Sequence, residues 1–312
     1  MIRYRELRRN ERAFKDVTGL TVAEFKHLYG KFEPAWGAAE EKRLQRASRQ
    51  RAIGAGTSYR LGVDDQLLMV LVWLRLYPTT ATLGYLFGVS QPTASRNSRR
   101  VLKVLKEVSM DEFEWPDPPQ KGEGRRLAEL IQAYPDAFAI IDATEQPVER
   151  PQEREKEESY FSGKRKRSTA KASIVVNEQG VIRGITQSSP GRTHDLTQIR
   201  QSGLLVQIPT KVTVVADSAY QGLDKSLPHH TVNTIPRAQR NHPLLPEQEE
   251  ERRRLSAIRF VVERVFCHIK HFGIMEQRFR HDVEELHSNA FAVIAAIVNR
   301  RTKLRLTSVN VA

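Results

Sequence analysis

The chain has 312 residues, 39% of them hydrophobic and 28% charged. That is enough to bury a core across two or three domains, and it excludes a disordered chain. Lys and Arg outnumber Asp and Glu by 50 to 37, a formal net charge of +13. Residues 1–110 hold 20 basic and 10 acidic residues, hence +10; the other 202 hold 30 and 27, hence +3. A field so concentrated favours approach to a polyanion, with nucleic acid the natural partner and an anionic membrane surface a weaker second.

Cys267 is the only cysteine, which excludes an intrachain disulfide and a thiolate zinc site. Its apolar helical setting predicts a buried, inert thiol. The longest apolar runs, Leu67–Leu74 and Ala290–Val298, are far too short to span a bilayer, and the charged start MIRYRELRRNER has no apolar signal segment. An intracellular protein is expected.

Residues 1–60 alternate charged, helix-like stretches with breaks at Gly30, Pro34, Gly37, Gly54 and Gly56. Ala38–Ala52 reads as a charged helix. With no strong apolar stripe, this basic helical region is expected to order against DNA or a second subunit. From Gly62 the pattern changes. Asp64 or Asp65 is positioned to cap a helix through DQLLMVLVWLRLY, which is apolar nearly all round and ends at Pro78.

Next, Thr79 or Thr80 caps a short helix with Leu83 and Leu86 inward, and Gly88 breaks it. Ser90 caps a second helix with Pro92 in its first turn. Ala94, Val101, Leu102 and Leu105 face inward. Gln91, Thr93, Ser95, Arg96, Arg99 and Arg100 fall largely on the opposite face. Helix, glycine turn and polar basic helix make a helix-turn-helix over residues 61–110. Gln91, Thr93, Ser95 and Arg96 have the reach and donors for base edges, and Arg99 and Arg100 suit phosphates. The plainer reading is a three-helix bundle with a solvated basic face; the charge concentration favours DNA binding.

Residues 111–124 (DEFEWPDPPQKGEG) read as an interdomain linker. Beyond it, strands and helices alternate. Ala137–Ile141 is a strand ending at Asp142. Ala172–Val176 and Val181–Thr186 form a hairpin around Asn177–Gly180. Thr193–Ile199 begins a helix capped by Thr193 or Asp195. Val212–Ala216 is a strand ending at Asp217, and Ser256–Phe272 and Asp282–Lys303 are helices. The pattern implies an α/β catalytic domain over residues 125–312.

Three acids stand out: Asp142 after AFAII, Asp217 after VTVVA, and Glu263 within RFVVERVFCHIK. β-rich runs that end in Asp place the carboxylate at the edge of a buried sheet, where ligand sites gather. Arg259, Glu263 and Lys270 return to one side of their helix at spacings of four and seven. Three hard oxygen donors suit Mg²⁺ or Mn²⁺, and with a basic chain they suggest two-metal cutting of nucleic acid. Each acid also has a structural reading: an Asp after a strand is often a turn or cap residue, and Glu263 can pair with Arg259 at i, i+4.

At these residues the chain resembles the DDE transposases of bacterial insertion sequences, in the family numbered five, related to eukaryotic Harbinger-type nucleases. The matching pieces are IIDATEQPVERP, YFSGKRKRSTAK, PGRTHDLTQIRQSGLL, VVADSAYQGL and LSAIRFVVERVFCHIKHFGIM, in order over about 150 residues. The resemblance implies an RNase H-like catalytic domain with a mixed sheet, preceded by an all-α helix-turn-helix region. It implies catalytic and metal-holding roles for Asp142, Asp217 and Glu263, with two Mg²⁺ or Mn²⁺ ions per site. It further implies binding to terminal inverted repeats, cleavage and strand transfer on double-stranded DNA, at least a homodimer when active, and a cytoplasmic, nucleoid-associated bacterial protein. Two alternatives remain: a transposase-derived DNA-binding regulator without catalysis, and a metal-dependent endonuclease without strand transfer.

Lys164, Arg165, Lys166, Arg167 and Lys171 could clamp the DNA backbone beside Asp142; a solvated charge run balancing the acids from Glu145 to Glu158 is the rival. His194 and Asp195 belong to the family motif and, with Lys270, form a second tier of site residues. His268 and His271 have no partner cluster for zinc.

Overall fold

The computed structural model describes residues 1–45, 60–115, 138–237 and 244–309. The end of the expected Ala38–Ala52 helix, most of the 111–124 linker and Ala137 of the first catalytic strand lie outside them. The described residues divide between two compact units. One is Met1–Met110 with Lys270–Arg278 and Asn289–Ile294; the other is Asp111–Ile269 with Phe279–Ser288 and Ala295–Ala312.

The first unit is helical: α1 (Tyr4–Leu7), α2 (Glu11–Thr18), α3 (Val22–Leu44), α4 (Val63–Leu76), α5 (Thr80–Phe87) and α6 (Gln91–Ser109). α3 runs unbroken through Gly30, Pro34 and Gly37, against expectation. A capping box between Thr21 and Glu24 starts it, and Phe25, Phe32 and Trp36 bury one stripe along it. Tyr4 stacks on Phe25 at 4.5 Å and Phe14 meets it edge-on at 5.5 Å. The described part of the N-terminal region therefore has an aromatic core, the apolar stripe that the sequence reading did not find.

α4 is buried along its length, as its apolar sequence requires. Its N-cap is Gly62, not Asp64 or Asp65. Asp65 instead accepts from the Tyr4 N–H at 2.7 Å and pairs with Arg3 at 3.4 Å. The turn between α5 and α6 follows the sequence closely. Thr79 and Ser90 cap the helices through their hydroxyls, and Gly88 ends α5 at φ +70°, a conformation L side chains rarely adopt.

The second unit is α/β. Its strands are β1 (Phe138–Pro147), β2 (Phe161–Ser162), β3 (Arg167–Val176), β4 (Ile182–Ile185), β5 (Ser189–Pro190), β6 (Thr213–Ala216) and β7 (Val232–Thr234). The path runs β2-β3-β1-β6-β7, with β4 and β5 also on β3. β1 is antiparallel to β3 and parallel to β6, and β6 is parallel to β7. This is the mixed sheet of an RNase H-like domain. Its helices are α7 (Arg154–Tyr160), α8 (Asp195–Gln201), α9 (Pro246–Lys270) up to Ile269, and α10 (Ser288–Val309) apart from Asn289–Ile294, which count with the first unit. Ala139, Ile141, Val214, Ala216, Ile199 and Tyr220 share one core on a single face of the sheet.

Several boundaries differ from the sequence reading. α10 is preceded by a π-helical turn, Val283–His287. The first residues of the expected linker form a 3₁₀ turn, Met110–Phe113, with Phe113 buried. There the Glu112 carbonyl accepts from the Asn299 side chain at 2.5 Å and its carboxylate pairs with Lys303 at 3.2 Å. Among the described residues no helix is long and apolar enough to cross a membrane.

Candidate active site and nucleic-acid interface

Two adjacent strands bring the first two acids together. β1 and β6 run parallel with Ile141 opposite Ala216, so the next residues, Asp142 and Asp217, stand side by side as β6 ends. The buried runs on both strands fix this register, because a one-residue slip would exchange the inward and outward faces. β1 itself continues to Pro147, and Asp142 also faces Ile174 of β3. Asp142 is thus a mid-strand residue that becomes an edge position only on the β6 side, not the strand-terminal residue expected. Asp142 Oδ1 accepts from the Ala143 N–H at 2.9 Å, and Asp217 Oδ1 accepts from the Ser218 N–H at 2.6 Å.

Glu263 arrives on α9. That helix buries Leu255, Val262, Val265, Phe266 and Ile269 and turns the stripe of Arg259 and Glu263 outward beside them. Cys267, one residue past Phe266 and hence about 100° round the helix, is exposed and not the buried thiol expected.

One guanidinium joins the three acids. Arg259 Nη1 donates to Asp142 Oδ2 at 2.8 Å and lies 4.0 Å from Asp217 Oδ2, while Nη2 donates to Glu263 Oε1 at 2.7 Å. The i, i+4 pairing of Arg259 with Glu263 is present, and the convergence of three distant carboxylates on one cation is present with it. Exposure rises across the triad, from 14% for the Asp142 side chain to 36% for Asp217 and 48% for Glu263. Burial pushes the Asp142 carboxyl up to about 6 against the pull of Arg259 and the Ala143 N–H; Asp217 and Asp195 add to the rise.

Among the described residues no three His, Cys, Asp or Glu side chains are grouped closely enough to hold an ion as they stand. The donor chemistry nevertheless fits a hard divalent cation: three carboxylates gather around one cationic guanidinium.

Lys171 does not serve as a phosphate clamp. It lies inside β3, 7% exposed, with its ammonium donating to the Thr193 carbonyl at 2.7 Å. It stands 2.5 Å from Asp195 and 3.9 Å from Glu145, an ion pair rather than a well-aligned hydrogen bond. Asp195 is accordingly the first residue of α8 and a partner of Lys171, not a helix cap; His194 is the N-cap residue, exposed and without a capping side-chain bond. The rest of the basic run behaves otherwise. Lys164, Arg165 and Lys166, on the tight connection between β2 and β3, and Arg167, the first residue of β3, are all exposed. Lys270 closes α9 and falls within the helical unit. Gly191 of the PGRTHD segment is a residue whose need the sequence did not signal: a Cβ there would overlap Thr169 Oγ1 and approach the Tyr160 carbonyl to 2.9 Å.

In the helical unit, α6 exposes Gln91, Thr93, Arg96 and Arg99 and half-buries Ser95. Arg100 departs from the expected phosphate contact. Its guanidinium lies over the Trp36 ring at 5.1 Å and pairs with Glu40, and burial lowers its pKa. Arg96 and Thr93 open onto a cavity of about 530 Å³ that Arg43, Arg60 and Asn97 also line.

A mixed sheet with a carboxylate pair at its parallel edge, a third acid on a following helix and a separate helix-turn-helix together define a DNA-processing nuclease of the DDE type. The family model described as "DDE superfamily endonuclease" matches residues 141–299, and that described as "Helix-turn-helix of DDE superfamily endonuclease" matches residues 59–110. The chain belongs to the DDE superfamily endonucleases, as an insertion-sequence DDE transposase. It is 28% identical, over 94% of its length and 96% of the relative's, to the "Probable transposase for insertion sequence element IS702" of Microchaete diplosiphon. No solved structure matches the chain.

Proposed function

We propose that this transposase binds the terminal inverted repeats of its insertion sequence, cleaves DNA at the element ends and joins the freed ends to target DNA. The observation that carries the catalytic reading is the convergence of Asp142, Asp217 and Glu263 on one cationic centre. With divalent ions bound, the site would gain Lewis acidity towards phosphoryl oxygens and a means of activating a water or a DNA 3′-hydroxyl. Asp142, the most buried of the three, would hold the ions together with Asp217 and Glu263. Asp142 keeps its position through the β-ladders on both sides, and Asp217 through the Ser218 N–H. Both are held before DNA arrives, which favours an orderly in-line displacement.

The helical unit supplies the DNA-reading surface in this proposal, with Gln91, Thr93, Ser95 and Arg96 at base edges and Arg99 on phosphate. The exposed Lys164–Arg167 connection adds a backbone contact from the catalytic unit. The near full-length likeness to a probable insertion-sequence transposase supports strand transfer over simple nicking. Two ends must be joined, so the active form is at least a homodimer.

The test is incubation of the purified chain with duplexes carrying its own element ends, in Mg²⁺ or Mn²⁺, followed by mapping of the products. Cleavage at the ends and joining of pre-cut ends to a plasmid are expected. Cutting without joining would leave an endonuclease; end binding without cutting would leave a regulator.

A further inference from the structure

Arg259 sits one helical turn before Glu263, so α9 aims both side chains at the same place. Its side chain is only 23% exposed, although it stands beside the Glu263 side chain, which is 48% exposed. Two of its nitrogens are used on two acids from different elements, with a third acid 4.0 Å away. A planar fork with five donors can do this; a point-charge ammonium cannot reach three acids with comparable geometry. Without a cation, carboxylates gathered this closely repel one another and the site would open.

We propose that Arg259 is a built-in counter-cation of the acidic triad, which a divalent ion must displace to enter. The inference rests on the metal-binding reading of the three acids given above. The charge balance makes the exchange workable. One guanidinium against three carboxylates leaves the cluster net negative, so the latch holds the site together yet still attracts a divalent ion. Displacement costs the Asp142 and Glu263 hydrogen bonds, so metal affinity is set below what the bare acids would give. The device shifts metal filling to higher concentration, so the nuclease stays idle at metal levels that would fill the bare acids.

The experiment measures Mn²⁺ binding to the full-length protein by calorimetry, and its melting temperature with and without Mn²⁺, in the absence of DNA. Arg259→Gln is compared with wild type, Arg259→Lys and Asp142→Asn. The expected result is that Arg259→Gln melts lower than wild type without metal, binds Mn²⁺ roughly tenfold more tightly, and gains more melting temperature on adding Mn²⁺. Arg259→Lys keeps the charge but not the fork, and is expected between the two; it carries the comparison if the glutamine variant does not fold. Asp142→Asn should lose Mn²⁺ binding.

Equal Mn²⁺ affinity in wild type, Arg259→Gln and Arg259→Lys would overturn the latch while leaving the metal site intact. Weaker binding in Arg259→Gln would overturn it too, making Arg259 a support for the ligands and not their competitor. Binding of Mn²⁺ by none of the proteins, Arg259→Gln included, would remove the metal reading itself, and the latch with it.

Discussion

The Lys171 ammonium lies 2.5 Å from the Asp195 carboxylate, buried between β3 and the start of α8. The pair joins the PGRTHD segment to the strand that lies next to Asp142 on β1. A charge so placed cannot be removed quietly. Lys171→Met leaves Asp195 and Glu145 facing each other without a cation, and the loss of one member of a buried pair costs about 3–5 kcal/mol. Denaturant titration of the variant should show that loss. Lys164→Ala and Arg165→Ala, on exposed side chains, should change stability by no more than about 0.5 kcal/mol and act only on DNA affinity. A Lys171→Met protein as stable as wild type would show that the pair does not anchor α8.

The Asp142 carboxyl gives the metal-free protein an unusual pH dependence. Its pKa in the fold is raised from 3.8 to about 6, chiefly by burial. A carboxyl raised on folding favours the native state when protonated, so its contribution is present below about pH 4 and is lost as pH rises towards 6 and beyond. The difference corresponds to about 3 kcal/mol between the two limits. Asp142→Asn, which cannot ionise, should remove that part of the slope, and urea midpoints at pH 4.5 and 7.5 without divalent ions would reveal it. An unchanged slope in the variant would mean that Asp142 titrates normally.

His287 acts in the opposite direction. Its ring is fully buried in the π-helical turn, with Nδ1 2.7 Å from Ser188 Oγ, Nε2 2.8 Å from Gln146 Oε1, and Phe279 edge-on at 5.0 Å. Both partners can be satisfied by a neutral ring: Nε2–H donates to the amide oxygen and Nδ1 accepts from the hydroxyl. Burial pushes the imidazole down to about 4. Stability from this residue is present above about pH 6.5 and is lost as pH falls towards 4, again about 3 kcal/mol at the limit. His287→Gln should be less stable at pH 7 and less acid-sensitive between pH 6.5 and 4. Parallel pH profiles for variant and wild type would reject a neutral buried imidazole.

How much of this was legible in the sequence depends on the range of the interaction that decides it. The caps Thr79 and Ser90 and the break at Gly88 are local, and their residue types announce them. The β-rich runs before Asp142 and Asp217 are local too, and they locate both strands. Register is not local: the side-by-side placement of the two acids depends on Ile141 pairing with Ala216, 75 residues apart in the chain. The aromatic stripe Phe25, Phe32 and Trp36 was hidden by Gly30, Pro34 and Gly37, which read as breaks although cap and core together carry α3 through them. Lys171 looked like one more member of a surface run. Its burial comes from β3, which is covered from Thr169 onward on both alternating sets of residues, and from an acid supplied by α8, and neither is visible in a string of basic residues. Arg259 was visible only as a helix partner for Glu263; its contacts with Asp142 and Asp217 arise from tertiary packing.

The recognition helix carries two arginines four residues apart that should behave differently. Arg96 is exposed on α6 and opens onto the cavity also lined by Arg43 and Arg60. Arg100 lines the same cavity, but its guanidinium is tied to Glu40 and lies over the Trp36 ring. If Arg96 makes a bidentate base contact, Arg96→Ala should cost about 1–3 kcal/mol in binding the element end and relax the preference for it over random duplex, with the fold unaffected. A phosphate contact would instead weaken all sequences alike and lower the salt dependence of binding by about one counterion. Arg100→Ala should act on stability, through the lost ion pair and about 1 kcal/mol of cation–π attraction, and reach DNA binding only through loosening of α3 against α6. Mobility-shift titrations on specific and random duplex, beside a thermal melt of each variant, separate these outcomes. An Arg100→Ala protein with wild-type melting and weakened binding to every duplex would restore Arg100 to the phosphate-contacting face.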